Sequence, residues 1–83
     1  MEQIKIQMNF FGAFRQYGES CDLIVPVGSD VQAIKNIFAQ NRQDIDERLI
    51  QSAALANQNT ILTASQGINQ DCELSILPPV CGG

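Results

Sequence analysis

Apolar and polar residues alternate through the opening of the chain, QIKIQMNFF. Ile4, Ile6, Met8 and Phe10 share one side; Lys5, Gln7 and Asn9 share the other. A period of two predicts a strand with one buried face. Phe11 breaks the alternation and places an apolar ring on the outer face. Turn chemistry follows at Gly18, and the β-branched run CDLIVPV predicts a second strand. Pro26 assigns that strand to a sheet edge or marks its end, because proline has no ladder N–H to donate. The two strands predict a hairpin whose longer loop holds Phe14 and Arg15.

The period then changes. In GSDVQAIKNIFAQN, the residues Val31, Ile34, Ile37 and Phe38 make one apolar stripe at helical spacing. Ser29 with Gln32 three residues on has the form of a capping box, and Asn41 is a stop. DIDERLIQ adds a short helical turn through Ile45 and Leu49. AALANQNTIL predicts strand, tight turn at Asn57–Gln58–Asn59, and strand. GINQD is a further turn. CELSIL is the last strand, with Leu74 and Ile76 on one face and Glu73, Ser75 and Leu77 on the other; Leu77 precedes a proline and is pushed toward extended backbone.

The predicted order is β-β-α-(short helix)-β-β-β, an α+β domain with one main helix on a mixed four- to five-stranded sheet. The ubiquitin-like β-grasp has this order. Likeness to that fold, rather than the pattern, implies that the first and last strands run parallel at the centre. The expected division is a β-grasp domain over residues 1–77 and an extended tail over 78–83.

Composition narrows the function. At 83 residues, the chain forms one domain with little room for a deep internal site. The net charge is −4, with five basic residues and no basic cluster. That argues against nucleic acid and favours encounter with a basic protein surface. Cys21, Cys72 and Cys81 have no C-x-x-C spacing and there is no histidine, so neither a metal site nor a secreted disulfide framework is expected. No signal segment and no apolar run of about 20 residues is present. The expectation is a cytoplasmic protein with reduced thiols and no membrane partner.

The most informative stretch is the last, LPPVCGG. Pro78 and Pro79 end the strand and favour extended polyproline II backbone. Residues 78–83 then reach roughly 20 Å at about 3.3 Å per residue. Gly82 and Gly83 lose much freedom when ordered. They suit a tail that is ordered inside a partner, where their lack of Cβ admits them to a narrow channel. The reactive group is the Gly83 carboxylate. It is a poor electrophile until joined to AMP as an acyl-adenylate; a sulfur donor then converts it to a thiocarboxylate, a strong nucleophile.

ELSILPPVCGG resembles the acidic-apolar strand and Pro-Pro-Val-x-Gly-Gly tail of the small subunits of molybdopterin synthase, the sulfur carriers of molybdenum cofactor biosynthesis. IKIQMNFFGAFRQYG is similar to that family's opening strand and Phe-rich turn, and ANQNTIL to its Val-Asn-Gln turn. The resemblance implies a cycle. A ubiquitin-activating-type adenylyltransferase uses ATP to adenylate Gly83, and a sulfurtransferase installs sulfur. The charged carrier docks on a large catalytic subunit in a heterotetramer, with the tail from Pro78 through Pro79, Val80, Cys81 and Gly82 in the active site. Sulfur passes to cyclic pyranopterin monophosphate, building the molybdopterin dithiolene. The chain is then a non-catalytic subunit that binds no cofactor stably.

Cys81 departs from the family pattern, where Ala or Ser is commoner. It is either a thiol able to form a persulfide or transient thioester, or a small residue tolerated at a permissive position. Cys21 and Cys72 fall in strands and are expected to be inert packing residues. Phe11 and Leu77 are outward by parity, and Ile61 is expected to be. They form the candidate partner surface, which the resemblance assigns to both the activating enzyme and the large subunit. Arg15 either pairs with a partner acid or is solvated. Rival functions are a sulfur carrier for thiamine thiazole or another thiolated metabolite, a ubiquitin-like modifier conjugated through Gly83, and a β-grasp binding module without tail chemistry.

Overall fold

The computed structural model describes residues 2–58 and 60–78. Strand β1, Gln3–Phe10, buries Ile4, Ile6, Met8 and Phe10, as its alternation requires. It pairs antiparallel with β2, Ser20–Pro26, and parallel with β7, Cys72–Leu77. Strand β4, Ala54–Asn57, lies antiparallel on the far side of β7 and carries the two-residue β5, Thr60–Ile61, at its outer edge. The order is β2-β1-β7-β4-β5: a mixed five-stranded sheet with the first and last strands parallel at its centre.

Helix α1, Val31–Asn41, covers one face of this sheet. Val31, Ile34 and Phe38 are buried and Ile37 is half-buried. Phe38 meets Phe10 edge-on, with ring centroids 5.8 Å apart, and Phe14 lies 6.5 Å from Phe10 on another side. Aromatic pairs favour such tilted geometries over stacked sandwiches. Leu23 and Val25 of β2, Leu55 of β4, and Leu74 and Ile76 of β7 complete the core.

Several local expectations are corrected. The N-cap of α1 is Asp30, whose Oδ1 accepts from the Ala33 amide at 2.9 Å. Ser29 is buried, and its hydroxyl donates to the Pro26 carbonyl at 2.6 Å. Ser29 lies one residue ahead of the cap with its hydroxyl turned to Pro26, and the Gln32 amide donates to Asn36 and Gln51 rather than closing a capping box. The loop expected to hold Phe14 is a 3₁₀ helix, Gly12–Tyr17, because Phe14 reaches into the core and is fully buried. GINQD, expected as a turn, contains β6, Gly67–Ile68, paired with β3, Ser29–Asp30. That pairing joins segments remote in sequence. It needs a glycine, since a Cβ on Gly67 would stand 2.9 Å from the Gly28 carbonyl oxygen.

The short helix is α2, Glu47–Ser52, capped by Asp46 through the Arg48 amide at 2.9 Å. Its buried residue is Ile50; Ile45 is buried just before it and Leu49 is half-buried. Lys35 on α1 donates to the Gln51 carbonyl at 3.0 Å, occupying one of the orphan acceptors at a helix C-terminus. Of the Asn57–Gln58–Asn59 turn, Gln58 has a left-handed φ of 57° and Asn59 lies outside the described residues.

The capping assignment has a direct check. Asp30→Ala removes the acceptor for the Ala33 amide and is expected to cost about 1 kcal/mol, lowering the melting temperature by about 4–8 °C. Gln32→Ala, at an exposed position, is expected to stay within about 0.5 kcal/mol. Thermal unfolding followed by circular dichroism gives both values; the reverse ranking would restore the Ser29–Gln32 box.

Candidate docking face and the base of the tail

Among the described residues, no helix covers the sheet face opposite α1. The register places Gln7, Glu73 and Asp22 together across it, and Asn9 beside Ser75 and Ser20. Asn9 donates to Glu73 at 3.3 Å and accepts from Gln7 at 3.2 Å. Around Gln7 and Asn9 this half of the face is a polar ladder.

The other half is apolar. Leu77 is paired with Ala54, and Ala56 lies between Ser75 and Ile61. Ala56 is buried yet stands apart from the helix-side core, as expected for a small residue beneath larger neighbours on the outer face. Ile61 is 54% exposed and Phe11 37% exposed; Leu77 is half-buried. Phe11 extends β1 one residue past the Phe10–Ile76 pair, in extended backbone. The Arg15 guanidinium sits 5.5 Å from the centre of its ring. The 3₁₀ helix that follows Phe11 folds the chain back so that this cation lies over the ring.

Ile24 and Val27 are also exposed, at 51% and 41%. Neither was singled out in the sequence. Strand parity could have found Ile24, which lies between the buried Leu23 and Val25 and opposite Lys5. No local signal marks Val27.

Pro78 is half-buried where the chain leaves β7, and its ring lies against Gly12. The expected tail residues Pro79, Val80, Cys81, Gly82 and Gly83 lie outside the described residues, so the structure does not place them beside the face.

The two described thiols are half-buried against the core. Burial pushes the Cys21 thiol up, against a smaller opposing effect of the nearby Arg42. Burial pushes Cys72 up as well, and the Asp71 charge adds to it. Both effects disfavour thiolate. Arg42 itself is a tie between elements. It donates to the Tyr17 carbonyl at 2.8 Å, pairs with Asp44 through two bonds of 2.9 Å, and lies 5.6 Å from the Phe10 ring centre. The paired guanidinium holds the Asp44 carboxyl below its usual range. Among the described residues, no three His, Cys, Asp or Glu side chains converge as a metal site would require. No described helix is long and apolar enough to cross a membrane.

No family model matches this chain, and no curated protein matches it in sequence. Solved structures do. The fold is that of SAMP1 from Haloferax volcanii, with a TM-score of 0.75 at 12% identity over 95% of this chain and 99% of that one. It is also that of a putative molybdopterin converting factor subunit 1 from Pyrococcus furiosus, with a TM-score of 0.73 at 16% identity over 93% and 99%. A Caldiarchaeum subterraneum ubiquitin gives 0.67 at 14% identity over 99% and 100%. The chain is a ubiquitin-like β-grasp, spanning nearly the full length of each of these; at such identities the likeness is one of fold.

The thiol environments predict a pH profile. At pH 8, Cys21 and Cys72 should alkylate more slowly in the folded protein than in denaturant, because a raised pKa leaves less thiolate. Their rates should climb as pH rises past the ordinary thiol value. Peptide-resolved mass spectrometry after iodoacetamide measures this; faster reaction of either thiol in the folded state contradicts the environments described.

Proposed function

We propose that this protein is a ubiquitin-like sulfur carrier, the sulfur-donating subunit of a molybdopterin synthase. The observation that carries the reading is a juxtaposition: a β-grasp sheet whose uncovered apolar face ends where a Pro-Pro-Val-Cys-Gly-Gly segment begins. The face binds and the tail reacts. The Pyrococcus furiosus protein of the same fold, a putative molybdopterin converting factor subunit 1, supports this choice of pathway.

In this reading the domain covers residues 1–77 and the tail 78–83. A ubiquitin-activating-type enzyme grips Phe11, Leu77 and Ile61 and receives the tail. A Gly83 carboxylate oxygen attacks the α-phosphate of ATP and pyrophosphate leaves. The terminal sulfur of a sulfurtransferase persulfide attacks the acyl carbon and expels AMP, and a second thiol of that partner then cleaves the resulting acyl disulfide, leaving the thiocarboxylate on Gly83 and a disulfide on the partner. The same face then docks on the large subunit, and the sulfur passes to the pterin precursor there. Gly82 and Gly83 present no side chain to the channel, and Cys81 is the largest residue of the final three. The chain contributes binding, reach and the reactive terminus; the partners contribute nucleotide chemistry and the pterin pocket.

A second reading, a modifier joined to lysines through Gly83, is supported by the likeness to an archaeal ubiquitin. Isopeptide-linked products in cells would favour it over the carrier.

Two measurements test the proposal. Incubation with the activating enzyme, ATP and a sulfur source is expected to raise the intact mass by the sulfur–oxygen difference, localised to the peptide ending at Gly83. A gain on Cys81 instead would make that thiol the acceptor. Separately, Phe11→Asp is expected to weaken binding to the activating enzyme and the large subunit at least tenfold, about 1.4 kcal/mol, since docking would lose the ring's apolar contact and desolvate a carboxylate. Phe11 is exposed, so the melting temperature should barely move. Unchanged affinity in titration calorimetry would remove Phe11 from the interface.

A further inference from the structure

Gly12 meets two constraints at once. Its φ is +58°, a left-handed conformation that side chains other than glycine adopt at a cost. It also has no room for a side chain. A Cβ there would stand 2.5 Å from Pro78 Cγ, 2.9 Å from Pro78 Cδ and 3.8 Å from Pro78 Cβ. The first constraint belongs to the turn from β1 into the 3₁₀ helix. The second has no part in that turn: it concerns a residue 66 positions away that follows the last strand.

Pro78 cannot give way as a long side chain would. Its Cγ and Cδ close back onto its own nitrogen, so moving the ring moves the main chain. The ring also locks φ near −65°. Just before it, Leu77 is held against Ala54 by the β7–β4 ladder. One side of Pro78 is thus fixed by the sheet, its ring by the notch at Gly12, its φ by its own closure, and its ψ is confined to extended values by the proline that follows in sequence. The notch adjoins Phe11, which is exposed on the apolar face.

We propose that Gly12 is a positioning residue: the space left by its missing side chain seats the Pro78 ring and so fixes where, and in which direction, the tail leaves the domain relative to the docking face. The functional consequence rests on the sulfur-carrier reading. A partner that grips Phe11 and Leu77 then receives the tail from a defined starting point, and the Gly83 carboxylate meets ATP without a search over tail orientations. Positioning of this kind acts on the reaction more than on docking, because small misplacements of reacting groups cost rate steeply.

The test is a double-mutant cycle on the full chain: wild type, Gly12→Ala, Pro78→Gly and the double variant. Three quantities are read: the nuclear Overhauser contact between Gly12 Hα and the Pro78 ring, the dissociation constant for the activating enzyme, and the kcat of ATP–pyrophosphate exchange. Wild type is expected to show the contact. Gly12→Ala should lower kcat about tenfold with little change in dissociation constant, and Pro78→Gly should lower it comparably. Adding Gly12→Ala to Pro78→Gly should cost nothing further in kcat, because the ring it would strike is gone. The left-handed φ penalises alanine in both backgrounds, so a stability effect alone would give additive losses. Should the alanine variant fail to fold, Gly12→Asn carries the same Cβ and tolerates positive φ better. A missing Gly12–Pro78 contact, a Gly12→Ala protein with wild-type kcat, or additive losses would overturn the proposal. A wild type that shows the contact yet is never adenylated upholds the seat of Pro78 and overturns the carrier reading instead.

Discussion

The parallel pairing of β1 with β7 is the constraint on which the rest depends. It joins residues near the start of the chain to residues near its end, with Ile6 beside Cys72 and Phe10 beside Ile76. Parallel neighbours cannot be joined by a tight turn, so the intervening chain must cross from one end of the sheet to the other. Helix α1 lies along that route, and its apolar stripe is what closes the core. The same pairing carries the end of β7 to the Phe11 end of β1. That Pro78 leaves the sheet beside Gly12 is a consequence of strand direction; an antiparallel pairing would send the end of β7 to the opposite edge of the domain.

A single sheet with one sealed face leaves the other to be managed by side chains. Toward β2 this is done with polar groups that bond one another, Gln7 to Asn9 and Asn9 to Glu73. Toward β4 and β5 it is done with small residues, Ala54 and Ala56, beneath Ile61 and Leu77. Small residues keep that region shallow and open to a partner. A polar ladder would have to be desolvated group by group on docking, which costs free energy unless each bond is replaced. The two halves differ in what it takes to dry them, and the apolar half is the one beside the chain's exit.

A domain of this size has little core to spare, and single residues serve several elements. Arg42 ends α1, bonds the 3₁₀ helix through the Tyr17 carbonyl, pairs with Asp44 and lies over Phe10. Phe10 in turn contacts Phe14 and Phe38, so the aromatic centre is continuous with the surface ion pair. Cys21 lies near the same guanidinium, yet burial outweighs that cation and holds the thiol's pKa above its ordinary value.

Periodicity by itself determined the strand faces and the apolar stripe of α1. These properties depend on side-chain direction along a regular backbone, which repeats every 2 or 3.6 residues and is therefore written locally. The outward parity of Phe11 and Leu77 was legible for the same reason. What the local pattern missed involves contacts across the chain. Asp30 is the cap because the pairing of β3 with β6 holds Ser29 in a strand and starts the helix after Asp30. Gly67 and Ile68 form a strand only because Ser29 and Asp30 lie opposite them. Phe14 turns a loop into a helix because the core has a place for its ring. Nothing in FFGAFRQYG states that Gly12 must leave room for a proline 66 residues later. Tertiary structure decided that, since excluded volume acts between neighbours in space and has no period along the sequence.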